Sequence, residues 1–270
     1  MTMKRLTVHG FLGLCLLWAV PVLAQPSALN DVDVVEKLHQ KLPLDLSFTD
    51  SEGKPFRLSQ SFSDGKPVLL TLVYYRCQAL CDLVVSGMVR ALNDTGLSLG
   101  NDYRVVTATI DPTETPDLAS QRKRGHLQAL GQKDHHPDWA FLTGDASSIR
   151  SLAESVGFRY AYDDRSKQYA HAAVVFVLTP EGRVSRYFYG MEFKPRDLKL
   201  ALLEASDGRV GTSFDRILMK CFKYDPAERR YVVYMMGFIR GGALLVFFAL
   251  SSLLWILWRR ELREKRGAAV

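Results

Sequence analysis

The sequence predicts one α/β domain carrying an additional segment at each end. Three observations lead there. Residues 67–75 run apolar, β-branched or aromatic without a break, as a strand covered on both faces does. From Leu80 the period changes: Leu80, Leu83, Val84, Met88 and Leu92 recur at helical spacing, so the strand gives way to an amphipathic helix. Strand-like and helix-like stretches then alternate as far as residue 206, ending in two strands and a helix.

The ends of the 270-residue chain account for most of its charge. Of the net +6, Lys4 and Arg5 contribute +2, and Arg259, Arg260, Arg263, Lys265 and Arg266 against Glu261 and Glu264 contribute +3. The +1 left for the body makes no case for nucleic-acid binding. Lys4 and Arg5, the apolar stretch 6–22 and the end Val22-Leu23-Ala24 predict a signal peptide over 1–24, the rival being an uncleaved anchor. Cys15 falls inside it and carries no chemistry. Residues 25–43 read as a lead-in with a helical stretch at 32–42. The domain occupies 44–206 and a juxtamembrane linker 207–233. The apolar run 241–258 extends to a transmembrane helix at 234–258 that meets lipid, with Trp255 and Trp258 as an interfacial belt. The basic tail 259–270 then lies in the cytoplasm. With the N-terminus exported, this gives a single-pass protein of the bacterial inner membrane whose domain faces the periplasm.

Within the domain, 46–49 and 56–58 form a hairpin around Ser51-Glu52-Gly53-Lys54, and Asp64-Gly65-Lys66-Pro67 leads into the central strand. A strand at 103–110 ends at Asp111-Pro112. The helix that follows, through Leu130, opens on Thr113-Glu114-Thr115-Pro116-Asp117, since proline and acidic residues suit a first turn. Then come a strand at 139–143, a helix at 147–156, strands at 158–162, 169–178 and 183–189, and a helix at 195–205. Tyr187, Phe188 and Tyr189 are expected to alternate between core and surface.

The chemistry sits where the central strand turns into helix. Cys77 falls at the helix start and Cys81 one turn later on the same face, close enough to act together. The helix N-terminus and Arg76 favour thiolate over thiol. Two such thiolates either exchange with disulfides or bind a soft metal. The element order and the cysteine position resemble the thioredoxin fold with peroxiredoxin-like additions. That fold places a cis-proline before the closing hairpin; here the segment reads Tyr169-Ala170-His171-Ala172-Ala173-Val174, with His171 instead. Two thiolates and an imidazole suit Cu(I) and can hold Cu(II), whereas structural zinc takes four protein ligands. A lone histidine at a strand start reads equally as a hydrogen-bonded structural residue, so the residues alone leave both roles open.

The chain resembles the Sco/SenC family of copper-binding assembly proteins for cytochrome c oxidase. The features that match are Tyr74-Tyr75-Arg76-Cys77 with Cys81, Asp111-Pro112 with Thr115-Pro116, Phe141-Leu142-Thr143-Gly144, and His171 followed by Pro180-Glu181-Gly182-Arg183. The resemblance implies Cys77, Cys81 and His171 as copper ligands and delivery of copper to the CuA centre of oxidase subunit II. It also implies a periplasmic copper donor or thiol reductase acting upstream. On this reading the protein is a metallochaperone and not an enzyme. The alternative is a thiol-disulfide reductase acting on the oxidase cysteines or other exported proteins, with Cys77 attacking and Cys81 resolving. A peroxidase is disfavoured because there is no Thr-x-x-Cys motif. The chain departs from the family where prolines commonly follow the cysteines: Gln78 and Asp82 stand there, which predicts a looser loop. Ala170 replaces an acidic residue that often precedes the histidine. The anchor departs too, since an N-terminal helix is the commoner arrangement.

Other candidates are weaker. Asp111 and Pro112 fit helix-start geometry as well as a copper loop. His135 and His136 are neighbours whose side chains diverge, and His39 and His126 read as structural or surface residues. Cys221 is the odd cysteine of the mature chain, read as structural or unpaired.

Overall fold

The apolar run 67–75 becomes the middle of a seven-stranded sheet because pairing on both sides satisfies its backbone while its side chains stay dry. In a computed structural model, the described residues are 32–77, 80–132, 136–207, 222–225, 230–233 and 235–267, with the side chains of Leu80, Cys81, 222–241, Leu257 and 260–267 left out. The signal segment 1–24 with Cys15, and also Gln78, His135 and Cys221, lie outside the described residues.

Strand β3 (Val68–Val73) is buried at every position. It pairs in parallel with β4 (Arg104–Thr109), which pairs in parallel with β5 (Trp139–Thr143). On its other side lies β8 (Val174–Leu178), antiparallel. The expected hairpin, β1 (Ser47–Asp50) and β2 (Pro55–Arg57), forms one edge, with Gly53 at φ +78° in its turn. Strand β9 (Val184–Tyr189) forms the other, giving the order β2-β1-β5-β4-β3-β8-β9. The buried threonines do not go unsatisfied: the Thr71 hydroxyl donates to Thr107 Oγ1 at 2.9 Å, and the Trp139 indole donates to the same oxygen at 3.0 Å.

Helix α1 (Leu80–Asn93) follows β3 and buries Val84, Val85, Met88, Val89 and Leu92; of the stripe read from the sequence Val84, Met88 and Leu92 face the core, whereas Leu83 is exposed. Helix α2 (Pro116–Ala129) begins with Pro116 behind Thr115, as expected. Helix α3 (Ala146–Ser155) is capped by Asp145, which accepts the Ser147 and Ser148 amides at 2.8 and 2.9 Å. Hydrogen bonds from Ser147 and Ser148 hold that carboxyl far below the usual range. Helix α4 (Pro195–Ala205) ends the domain.

Several expectations need correction. Residues 32–42 are not helical; they lie along the domain with a turn at Leu38 and His39, bridging Val34 to Phe158 and Lys41 to Arg183. Their amides are taken by the domain: Val35 donates to Gly157 O and Leu42 to Gly182 O, each at 2.9 Å. Only glycine fits at 157, since a Cβ there would stand 1.8 Å from the Val35 carbonyl oxygen. The same segment explains why Tyr187 and Phe188 are both buried instead of alternating. The Lys37 amide donates to the Tyr187 hydroxyl at 2.7 Å and the Tyr189 hydroxyl to Glu36 at 2.9 Å, so a face of β9 expected to meet water is covered.

The strand expected over 169–178 is two. Strand β7 (Gln168–His171) leaves the sheet to pair with β6 (Tyr160–Asp163), and the chain rejoins the sheet only at Val174. Beyond the domain, β10 (Phe222–Asp225) and β11 (Arg230–Val233) form a hairpin, and α5 (Met235–Gly267) follows. Among the described residues no helix is long and apolar enough to cross a membrane. The span expected at 234–258 is therefore not found among the described residues.

Candidate metal centre

The loop leaving β3 is built from Tyr74, Tyr75, Arg76 and Cys77, with the Cys77 amide donating back to Tyr74 O at 3.2 Å. Cys77 is buried, 8% exposed. Two charged groups from the neighbouring segment hold this loop. Glu114, itself buried, accepts the amides of Tyr75 and Arg76 at 2.8 and 2.7 Å and the Thr109 hydroxyl. Arg122, on α2, donates to the carbonyls of Tyr75 and Cys77 at 2.7 and 3.2 Å. Sequence reasoning took Glu114 for a helix-opening acid and passed over Arg122. No local signal marks either, because the pairings lie 39 and 47 residues apart. Asp111 is also engaged: it pairs with Arg76 at 3.1 Å and accepts the Thr113 amide at 2.9 Å, so it orients the residue beside the first cysteine.

The sequence puts Cys77 at the helix start and Cys81 one turn later; α1 instead begins at Leu80, with Cys77 in the loop before it and Cys81, whose side chain is outside the described residues, in its first turn. Among the described residues, which lack that thiol, no three His, Cys, Asp or Glu side chains gather as a metal set.

His171 ends β7, which pairs with β6 outside the seven-stranded sheet, just before the chain enters the β3–β8 ladder at Val175 opposite Thr71. The Tyr74 ring meets the imidazole edge-on at 6.0 Å, and Phe158 packs against it at 5.8 Å. His171 Nδ1 lies 2.9 Å from the Ala172 carbonyl oxygen. A carbonyl only accepts, so Nδ1 carries the proton and a neutral ring keeps its lone pair on Nε2, the form a metal needs. Burial pushes the His171 pKa down, more than the Ala172 carbonyl raises it. The ring therefore stays neutral to lower pH than an ordinary histidine. It contributes stability above the unfolded value of about 6.5, lost as pH falls through the lower folded value. Proton NMR of the imidazole is expected to show a midpoint below 6.5; one at or above it would contradict this environment.

The remaining histidines lie elsewhere. His126 stacks on Trp139 and Phe141, at 6.0 and 6.1 Å, and its Nε2 stands 3.4 Å from Asp82. Burial lowers its pKa, against the pull of Asp82. His136 is in a connecting loop beside Asp138, and His39 is exposed with φ +65°. A cleft of about 300 Å³ opens beside the cysteine loop between Tyr74, Arg76, Asp111, Tyr162, Lys167 and Tyr169.

A scan of protein-family models matches residues 36–204 to SCO1/SenC. No match is found among the curated protein sequences. Among solved structures, a protein of Aquifex aeolicus VF5, named for a suspected part in electron transfer, is 26% identical with a TM-score of 0.55, over 63% of this chain and 94% of that one. BsSco, a member of the Sco family of cytochrome c oxidase assembly proteins studied for a disulfide switch, is 19% identical with a TM-score of 0.50, over 64% and 98%. ScoI of Arabidopsis thaliana, solved with copper bound, is 20% identical with a TM-score of 0.48, over 59% and 94%. The mixed α/β domain with its central sheet therefore matches the Sco form of the thioredoxin-like fold.

Proposed function

This chain belongs to the SCO1/SenC family, and from that premise we propose that it is a membrane-tethered copper metallochaperone delivering copper to the CuA centre of cytochrome c oxidase subunit II. The observation that carries the reading is the placement of His171: its ring lies edge-on to Tyr74 of the cysteine loop at 6.0 Å, with Nδ1 2.9 Å from the Ala172 carbonyl oxygen. With Cys77 and Cys81 it makes a soft, three-ligand set for Cu(I), able also to hold Cu(II). Three ligands leave room for an incoming group of the acceptor, so transfer proceeds by ligand exchange without free ion. Exchange with a partner protein's disulfide, which takes the two electrons and leaves as a dithiol, joins Cys77 and Cys81 in a disulfide, removes both thiolates and gates loading.

Tethering places the domain on the periplasmic face of the inner membrane after removal of 1–24, with 259–270 in the cytoplasm. Support for the anchor at 234–258 comes from α5. Leu245, Phe247, Phe248, Leu250, Leu254 and Trp255 stand exposed along its stretch 242–256, an apolar surface that suits lipid. Arg259 lies 4.1 Å over the Trp255 ring, as suits an interfacial end.

The test is to mix the copper-loaded full chain in detergent with the apo CuA domain of an oxidase subunit II. The expected result is loss of copper from the chain and appearance of the binuclear-centre absorption in the acceptor. A chain that takes up no copper yet reduces the acceptor's disulfide would replace this reading with the thiol-disulfide reductase.

A further inference from the structure

A single side chain joins the first cysteine to the residue that follows the second. Arg122 Nε donates to Tyr75 O at 2.7 Å and Nη2 to Cys77 O at 3.2 Å, on the first-cysteine side. Its Nη1 meets Asp82 Oδ2 at 2.9 Å, one residue past the second cysteine. Asp82 is held in turn by His126 Nε2 at 3.4 Å. A guanidinium is planar with a fixed fork of donors, so three acceptors satisfied at once lie at a set separation. Glu114 closes the opposite side of the loop through the amides of Tyr75 and Arg76, at 2.8 and 2.7 Å. The amides of 75 to 77 and the carbonyls of 75 and 77 are thus all occupied, four of these five bonds made by the two charged side chains at 114 and 122.

We propose that Arg122 is a positioning residue for the cysteine pair: its guanidinium staples the Cys77 carbonyl to Asp82, the residue after Cys81, and Glu114 fixes the backbone it pulls against. As a statement about copper, this rests on the chaperone reading. As a statement about the thiols, it does not. The separation and dihedral that two sulfurs can adopt govern the ease of forming a disulfide, and the same separation governs two-thiolate binding of one ion. The staple also brings a permanent positive charge to the Cys77 carbonyl, which favours thiolate. Asp82 stands where prolines commonly occur in the family this chain resembles, so here an ion pair restrains what a ring would restrain.

The experiment uses the full chain and its Arg122→Ala, Arg122→Lys, Glu114→Gln and Arg104→Ala variants. Arg104 pairs with Asp64 and Asp138, away from the loop, and reports the effect of losing a partly buried ion pair. Two quantities are read: the Cys77–Cys81 disulfide equilibrium against glutathione, and the rate of copper loss to a chelator. Arg122→Ala is expected to shift the first by about tenfold and to weaken copper retention by about tenfold or more. Arg122→Lys does not restore either, because an ammonium cannot reach three acceptors in a plane. Glu114→Gln gives a smaller shift in the same direction. Arg104→Ala, at similar loss of urea resistance, moves neither.

The inference is overturned if Arg122→Ala changes both readouts no more than Arg104→Ala. If the unaltered chain holds no copper while Arg122→Ala still shifts the disulfide equilibrium, the positioning role stands and the chaperone reading falls. Copper held equally by both, with no change in the disulfide equilibrium, leaves the chaperone reading and removes the staple.

Discussion

Cys77→Ser is expected to abolish stoichiometric copper binding by the reduced protein, the largest functional effect of any single change. A serine hydroxyl is not ionised near neutral pH and is a hard donor, so the set drops to one thiolate and one imidazole. Cys77 is buried at the end of a loop whose amides and carbonyls are taken by Glu114 and Arg122, so the serine stays in place and cannot be bypassed by a shifted loop. His171→Ala is expected to be milder, weakening retention by about 10- to 100-fold, because both thiolates remain. Metal content after gel filtration under reducing conditions, beside circular dichroism as a check on folding, decides the matter. One copper per chain retained by the Cys77→Ser, His171→Ala double variant would mean that the ion sits elsewhere.

The sequence makes some parts of this site legible and hides others, for a reason visible in the pairings. The strand-to-helix change at Leu80 is a local switch of hydrophobic period, so β3 and α1 can be read directly. His171 can be named as a candidate from the segment 169–174, but its tautomer depends on the Ala172 carbonyl turning back as the chain leaves β7. Glu114 and Arg122 act over 38 and 45 residues, on Arg76 and Cys77, and no periodicity encodes that reach. The departure from proline at 82 predicts a looser loop from backbone stiffness alone. In the structure that residue is ion-paired to Arg122, a restraint that a local reading has no means to see. The lead-in fails for the same reason: 32–42 has apolar residues at helical spacing, but Gly157 and Gly182 offer it carbonyls that a non-helical segment can use.

Trp139→Ala is expected to have the largest effect on stability, a loss of about 3–5 kcal/mol. The indole is fully buried, 5.4 Å from the Phe141 ring and 6.0 Å from His126, so its removal opens a cavity between β5 and α2 that these rings cannot fill without leaving their own positions. Its N–H also ends on Thr107 Oγ1 at 3.0 Å, and that oxygen keeps only the Thr71 hydroxyl as a donor after the change. A domain of ordinary stability, about 5–15 kcal/mol, is brought close to unfolding by such a loss. The consequences reach toward the metal loop along one line. Phe141 packs against Tyr75 at 5.9 Å, whose single hydroxyl proton is shared between the carbonyls of Thr107 and Leu142, each 2.9 Å away. Urea unfolding of Trp139→Ala, beside Trp139→Phe, measures the loss; phenylalanine refills most of the volume and is expected to recover more than half of it. A drop under about 1 kcal/mol for the alanine variant would mean that β5 and α2 close over the gap, contrary to the close packing of interiors. The loop's own bonds to Glu114 and Arg122 remain in the folded fraction. Copper binding per folded molecule is therefore expected to persist in Trp139→Ala, which separates the support of the sheet from the setting of the thiols.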